Sequence, residues 1–213
     1  MAHFTDALLL LVLLTDFAVL AASRLSFTIR VVAAQGVLLG LLPLVVHRPW
    51  TGGELWIAAG TVAIKGVVLP GFLLWAIREA AVRREIRPSL GPLGSIAAGV
   101  LAVALSVALE GTLPAIAASV PPLLIATALA TFLIGFLVLT TRRKAMSQVV
   151  GYLMLENGVY LFGLALSARI PFLVEMGVLL DLVVGVFIMG LVVFDMNREL
   201  ESQDSARLSE LRD

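Results

Sequence analysis

The sequence predicts an all-α polytopic membrane protein with seven transmembrane helices, its N-terminus outside and its C-terminus cytoplasmic. Three observations lead there. Sixty per cent of the 213 residues are hydrophobic and only 14% are charged, where a soluble domain carries about a quarter. Mean hydropathy is +1.05. The apolar runs are long and continuous rather than short and alternating. That selects helices over a barrel, the two folds that satisfy every backbone group in hydrocarbon.

About 20 apolar residues cross a core roughly 30 Å thick. On that measure the spans fall at 5–23, 27–46, 55–77, 94–113, 122–140, 148–167 and 173–194. The first run has only His3 and Asp6 near its start and no basic leader, so it reads as a retained helix rather than a signal peptide. Pro43, Pro70 and Pro114 lie inside or at the ends of spans, where neighbouring helices compensate a lost hydrogen bond. Residues 78–92 are too charged for burial and read as a surface amphipathic helix or loop. Trp50, Trp56 and Trp75 sit near span ends, as belt aromatics do.

Basic residues set the orientation. Arg24, Arg30, Arg78, Arg83, Arg84, Arg87, Arg142, Arg143, Lys144, Arg198, Arg207 and Arg212 share one side, against Arg48 and Arg169 on the other. The twelve-to-two excess marks the cytoplasmic side. The cluster Arg142-Arg143-Lys144 is chiefly this topology signal, and also suits an acidic lipid or cytoplasmic partner.

With no cysteine, the chain lacks thiolate ligands for iron–sulfur clusters. His3 and His47, both near helix ends, make no haem or zinc set. Any redox chemistry therefore belongs to another subunit, and neither cofactor nor metal is expected here. No phosphate loop, catalytic triad or dinucleotide fingerprint appears, and no nucleic-acid partner is expected.

What stands out is charge where hydrocarbon should be. Lys65 lies in the middle of the third span, and Glu156 and Asp181 lie near the middle of the sixth and seventh. A charge at such depth costs about 3 kcal/mol or more, so it faces protein or a water path. Glu156 and Asp181 read as groups that take up and release a proton; a structural hydrogen bond would need only an amide such as the adjacent Asn157. Lys65 reads as a proton relay or as the counter-ion of Asp16. Asp16 and Gln35 lie nearer the cytoplasmic side, where they either join this set or reach water by snorkelling. Glu175, in the first turn of the last helix, also suits the helix dipole. Glu54 and Glu110 fall near outer ends and are read as solvated.

A weak repeat links Arg24 to Val32 with Arg142 to Val150, and Lys65-Gly66-Val67-Val68 with Asp181-Leu182-Val183-Val184. The chain accordingly divides into a three-helix unit with its cytoplasmic loop (1–93), a connecting helix (94–121), a second three-helix unit (122–198) and a charged tail (199–213).

At Gly151-Tyr152, Met154, Glu156-Asn157-Gly158, Pro171, Leu173-Val174-Glu175, Gly177 and Asp181, with Trp56, Lys65 and Pro70 in the first half, the chain resembles the hydrogenase-4 component E family of formate hydrogenlyase-type complexes. Its last three helices also resemble the K subunit of respiratory complex I. Asp181, with Gly185 after it, matches that family's third-helix acid. The second-helix acid falls where this chain has Leu153; Glu156 stands one turn on, shifted about 4.5 Å along the axis.

The resemblance implies a non-catalytic subunit in the bacterial or archaeal inner-membrane arm of a group 4 [NiFe]-hydrogenase complex. There it would sit between the redox anchor and antiporter-like subunits, contributing to an intramembrane line of charge for proton or sodium translocation. Two rival expectations are a purely structural linker between those neighbours and a subunit of a cation/proton antiporter.

Overall fold

The computed structural model describes residues 2–46, 52–79, 90–112, 120–121, 123–142, 144–166 and 190. The chain runs through α1 (Ala2–Ala21), α2 (Leu25–Val46), α3 (Gly52–Thr61), a π-helical segment (Val62–Val68), α4 (Leu69–Glu79), α5 (Gly91–Glu110), α6 (Leu124–Thr141) and α7 (Ala145–Leu166). No strand occurs among the described residues. Among the described residues six helical stretches are long and apolar enough to cross a membrane: His3–Ala21, Leu25–Val46, Ala58–Arg78, Gly91–Glu110, Leu124–Thr141 and Met146–Leu166. They match the first six expected spans within a few residues. The seventh, with Glu175 and Asp181, lies outside the described residues except for Gly190, as do Trp50, His47 and most of the charged loop.

The third span departs from a plain helix. Pro70 has no N–H to give, and its ring crowds the turn before it. Upstream of it the backbone widens into the π form, and the Leu69 N–H bonds to the Ile64 carbonyl five residues back. Lys65 occupies the middle of this wide turn. Such π segments are rare and collect at functional sites.

Close approach of helices is arranged by glycine, as expected where lipid is as apolar as leucine and packing must supply the attraction. On α2, a Cβ at Gly36 would stand 2.7 Å from the Lys65 carbonyl, and one at Gly40 would collide with Val62. The α6–α7 pair is closer still. A Cβ at Gly135 would come 2.7 Å from the Leu155 Cα, one at Gly151 2.8 Å from the Leu139 Cα, and one at Gly158 2.7 Å from the Phe132 Cα.

Two apolar layers result. Val19, Ile29, Val32, Ile134, Val149 and Met154 belong to one. Val12, Leu39, Ala128 and Leu161 belong to the other. On each of α1, α2, α6 and α7 a polar residue lies in sequence between the two sets: Asp16, Gln35, Thr131 and Asn157. The bundle is thus built with a polar layer between apolar ones. Outward faces are apolar: Trp56, Trp75 and, on α5, Leu93, Val100, Leu101 and Leu105 are exposed, as a lipid-facing surface requires.

The α1–α2 and α6–α7 turns share their hydrogen bonding. Phe27 and Thr28 N–H groups donate to the Arg24 carbonyl, and Ser147 and Gln148 N–H groups to that of Lys144. The helices that follow, α2 and α7, are both 22 residues long. Arg24 and Lys144 thus each stand immediately before the helix that follows.

Gly158→Ala is expected to lower stability by about 1–3 kcal/mol by prising α7 from α6. Gly163→Ala, where an added Cβ meets nothing within 4 Å, should be neutral. Thermal unfolding of the purified chain in detergent checks both.

Candidate functional site

Glu156 and Asn157 are consecutive on α7, so their side chains point about 100° apart. Each begins a different set of contacts. Glu156 turns toward the π segment, where its Oε1 lies 2.7 Å from Lys65 Nζ. Lys65 is 5% exposed and Glu156 2%. The Lys65 ammonium also stands 5.8 Å from the centre of the Tyr160 ring, one turn along α7, within cation–π range. The second carboxylate oxygen of Glu156, Oε2, is buried and makes no hydrogen bond among the described residues.

Asn157 turns toward α2. Its Nδ2 donates to Gln35 Oε1 at 3.0 Å. Gln35 Nε2 in turn donates to Asp16 Oδ1 at 2.7 Å. The other Asp16 oxygen accepts from the Thr131 hydroxyl at 2.8 Å. All four side chains are buried. Four helices therefore contribute one polar side chain each to a single network in the layer between the apolar clusters.

This corrects two expectations. Asp16 and Gln35 do not snorkel: Asp16 is 0% exposed, because α6 and α2 close over it. Nor does Asp16 pair with Lys65, which is drawn instead to Glu156. Among the expected residues the structure thus gathers Lys65 with Glu156, and Asp16 with Gln35 and Asn157. Two contributors were not foreseen, Thr131 and Tyr160. A signal for the first exists: Thr127, Thr131 and Gly135 repeat at four-residue spacing and mark one small, polar face of α6.

The basic turn also differs from a solvated cluster. Lys144 is exposed, but Arg142 is 3% exposed. Its Nη2 reaches the Val19 carbonyl at 3.4 Å. Burial pulls its proton affinity below the ordinary arginine value, though a guanidinium stays charged. Arg143 lies outside the described residues. Among the described residues no group of three or more His, Cys, Asp or Glu side chains is placed to hold a metal.

A buried ion pair is weak evidence of stability, yet removing one partner strands the other charge. Glu156→Gln or Lys65→Met alone should therefore cost about 3–5 kcal/mol. The double variant should recover most of it. A double-mutant cycle by chemical unfolding measures the coupling; additive losses would show that the pair is not coupled.

The NADH-ubiquinone/plastoquinone oxidoreductase chain 4L family matches residues 123–213. The uncharacterized protein Rv0085 of Mycobacterium tuberculosis is 32% identical over 191 residues, 87% of this chain and 85% of that protein. Hydrogenase-4 component E of Escherichia coli K12 is 29% identical over 160 residues, 74% of this chain and 73% of that protein. The component E of Shigella flexneri is similar to the same extent. No solved structure matches the chain.

Proposed function

Because the chain belongs to the family of hydrogenase-4 component E, with a C-terminal part of the oxidoreductase chain 4L type, we propose that it is a non-catalytic subunit in the membrane arm of a complex I-like, energy-converting hydrogenase of the formate hydrogenlyase type. It bridges a redox-module anchor and antiporter-like subunits in the inner membrane of a bacterium or archaeon, with its C-terminus cytoplasmic. Lys65 and Glu156, continued by Asp181 and Glu175 of the span expected from the sequence, form its part of a lateral line of charge. Electron transfer in the partner subunits changes the protonation of this line and moves ions across the membrane.

The observation that carries the reading is the buried Lys65–Glu156 pair, in which one carboxylate oxygen holds the ammonium and the other makes no hydrogen bond among the described residues. A carboxylate engaged on one side only can pass a proton onward; lysine, whose charge responds to burial, is a suitable partner. Gln35, itself held by Asp16, fixes Asn157, the neighbour of Glu156, in place. That same satisfied network favours a second reading, a structural linker whose polar groups only lock helices together.

Glu156→Gln and Asp181→Asn, made together in the assembled complex, separate the two. The conducting role predicts that, despite the stability lost by stranding Lys65, the complex still assembles and turns over electrons, with ion pumping largely lost. The linker role predicts failure to assemble. Full coupled pumping in the assembled variant would overturn the conducting role.

A further inference from the structure

Asp16 is completely buried, and no cationic side chain pairs with it among the described residues. The intramembrane lysine is engaged by Glu156. A lone carboxylate withdrawn from water costs several kcal/mol unless a proton or another cation joins it. Two side chains that carry hard oxygen touch Asp16. Gln35 and Thr131 touch it at 2.7 and 2.8 Å. Thr127 lies one turn before Thr131 on the same face of α6, is 0% exposed, and its hydroxyl makes no hydrogen bond among the described residues. A helical threonine commonly bonds to the carbonyl one turn back, as Thr141 does to Leu137. Thr127 does not.

We propose that Asp16, Gln35, Thr131 and Thr127 form a binding site for one small alkali cation, sodium. Hard cations take oxygen ligands, and carboxylate, amide carbonyl and hydroxyl are such ligands. One carboxylate neutralises a monovalent ion completely, whereas a divalent ion would leave a net positive charge buried. The amide of Gln35 carries oxygen and nitrogen in nearly the same shape, so turning it end over end puts Oε1 where Nε2 now faces Asp16. Asn157 turns with it, and its Oδ1 then accepts from Gln35 Nε2. Two amides in series thus allow Gln35 to present a donor to the bare carboxylate or an acceptor to the ion. With the ion bound, Thr131 turns its proton from Asp16 to the carbonyl one turn back and offers a lone pair to the ion.

The site deepens the reading given above by naming an ion for the Asp16 side of the polar layer, and rests on it only for that ion's place in pumping. Binding itself stands on separate residues and is measured without turnover. The full chain in lipid nanodiscs, titrated with radiolabelled sodium at alkaline pH where protons compete least, should bind it saturably. Asp16→Asn should abolish binding, and Thr131→Val and Thr127→Val should each weaken it by about tenfold or more. Thr140→Val, whose hydroxyl bonds its own helix at an exposed position, should leave it unchanged. Where Asp16→Asn does not fold, as judged by helix content, the two threonine variants decide. Absence of saturable binding, or binding undiminished in Asp16→Asn or in both threonine variants, overturns the site. Sodium binding retained in Glu156→Gln that has lost pumping supports both claims; binding absent while pumping depends on Glu156 strikes the sodium site alone.

Discussion

The Lys65–Glu156 contact is the constraint on which the rest of the bundle depends. It joins the third span to the sixth, residues 91 apart in sequence, in a medium where neither charge is tolerable alone. To bring the two within 2.7 Å, the chain widens the backbone around Lys65 into a π turn ahead of Pro70. It also clears α2 of side chains at Gly36, where the Lys65 backbone passes. Glycines at 135, 151 and 158 draw α6 onto α7 and so fix the helix that carries Glu156. The π turn costs local regularity, and together with the glycine contacts it holds the helices that carry the ion pair in close packing.

The polar layer follows from the same geometry. Once α7 is oriented so that Glu156 meets Lys65, Asn157 faces α2 and must find a partner. Gln35 supplies it, Asp16 satisfies Gln35, and Thr131 satisfies Asp16. Apolar layers on either side exclude water from this arrangement, which raises the strength of every interaction in it and the cost of leaving any unmade. Asp6 Oδ1, Arg142 Nη1 and the Ser147 hydroxyl are also buried without a hydrogen bond among the described residues; of the five such groups, Glu156 Oε2 and the Thr127 hydroxyl are the ones on α6 and α7 beside the network residues Thr131 and Asn157.

Much of this was legible in the sequence, and the remainder was hidden for definite reasons. Spans are written in runs of apolar residues, so six of them were found within a few residues of their observed bounds. Lys65 and Glu156 were conspicuous because charge at mid-span has no cheap explanation. Their pairing was not, since it depends on which helices adjoin. Asp16, five residues from the end of α1, has the look of a group within reach of the interface; its burial is a property of α2 and α6, not of its own helix. Thr131 was overlooked because threonine is common in membrane helices, and only the four-residue stripe with Thr127 and Gly135 distinguishes it. The π turn has the weakest local signature, a proline five residues after the lysine.

Isotope-edited infrared difference spectroscopy on the assembled complex tests the central claim most directly, by following the Glu156 carboxylate as the redox partner subunits are reduced. The account predicts an ionised carboxylate band at rest, absent from Glu156→Gln, that gives way to a protonated band on reduction. A Glu156 band that stays the same through turnover would contradict it.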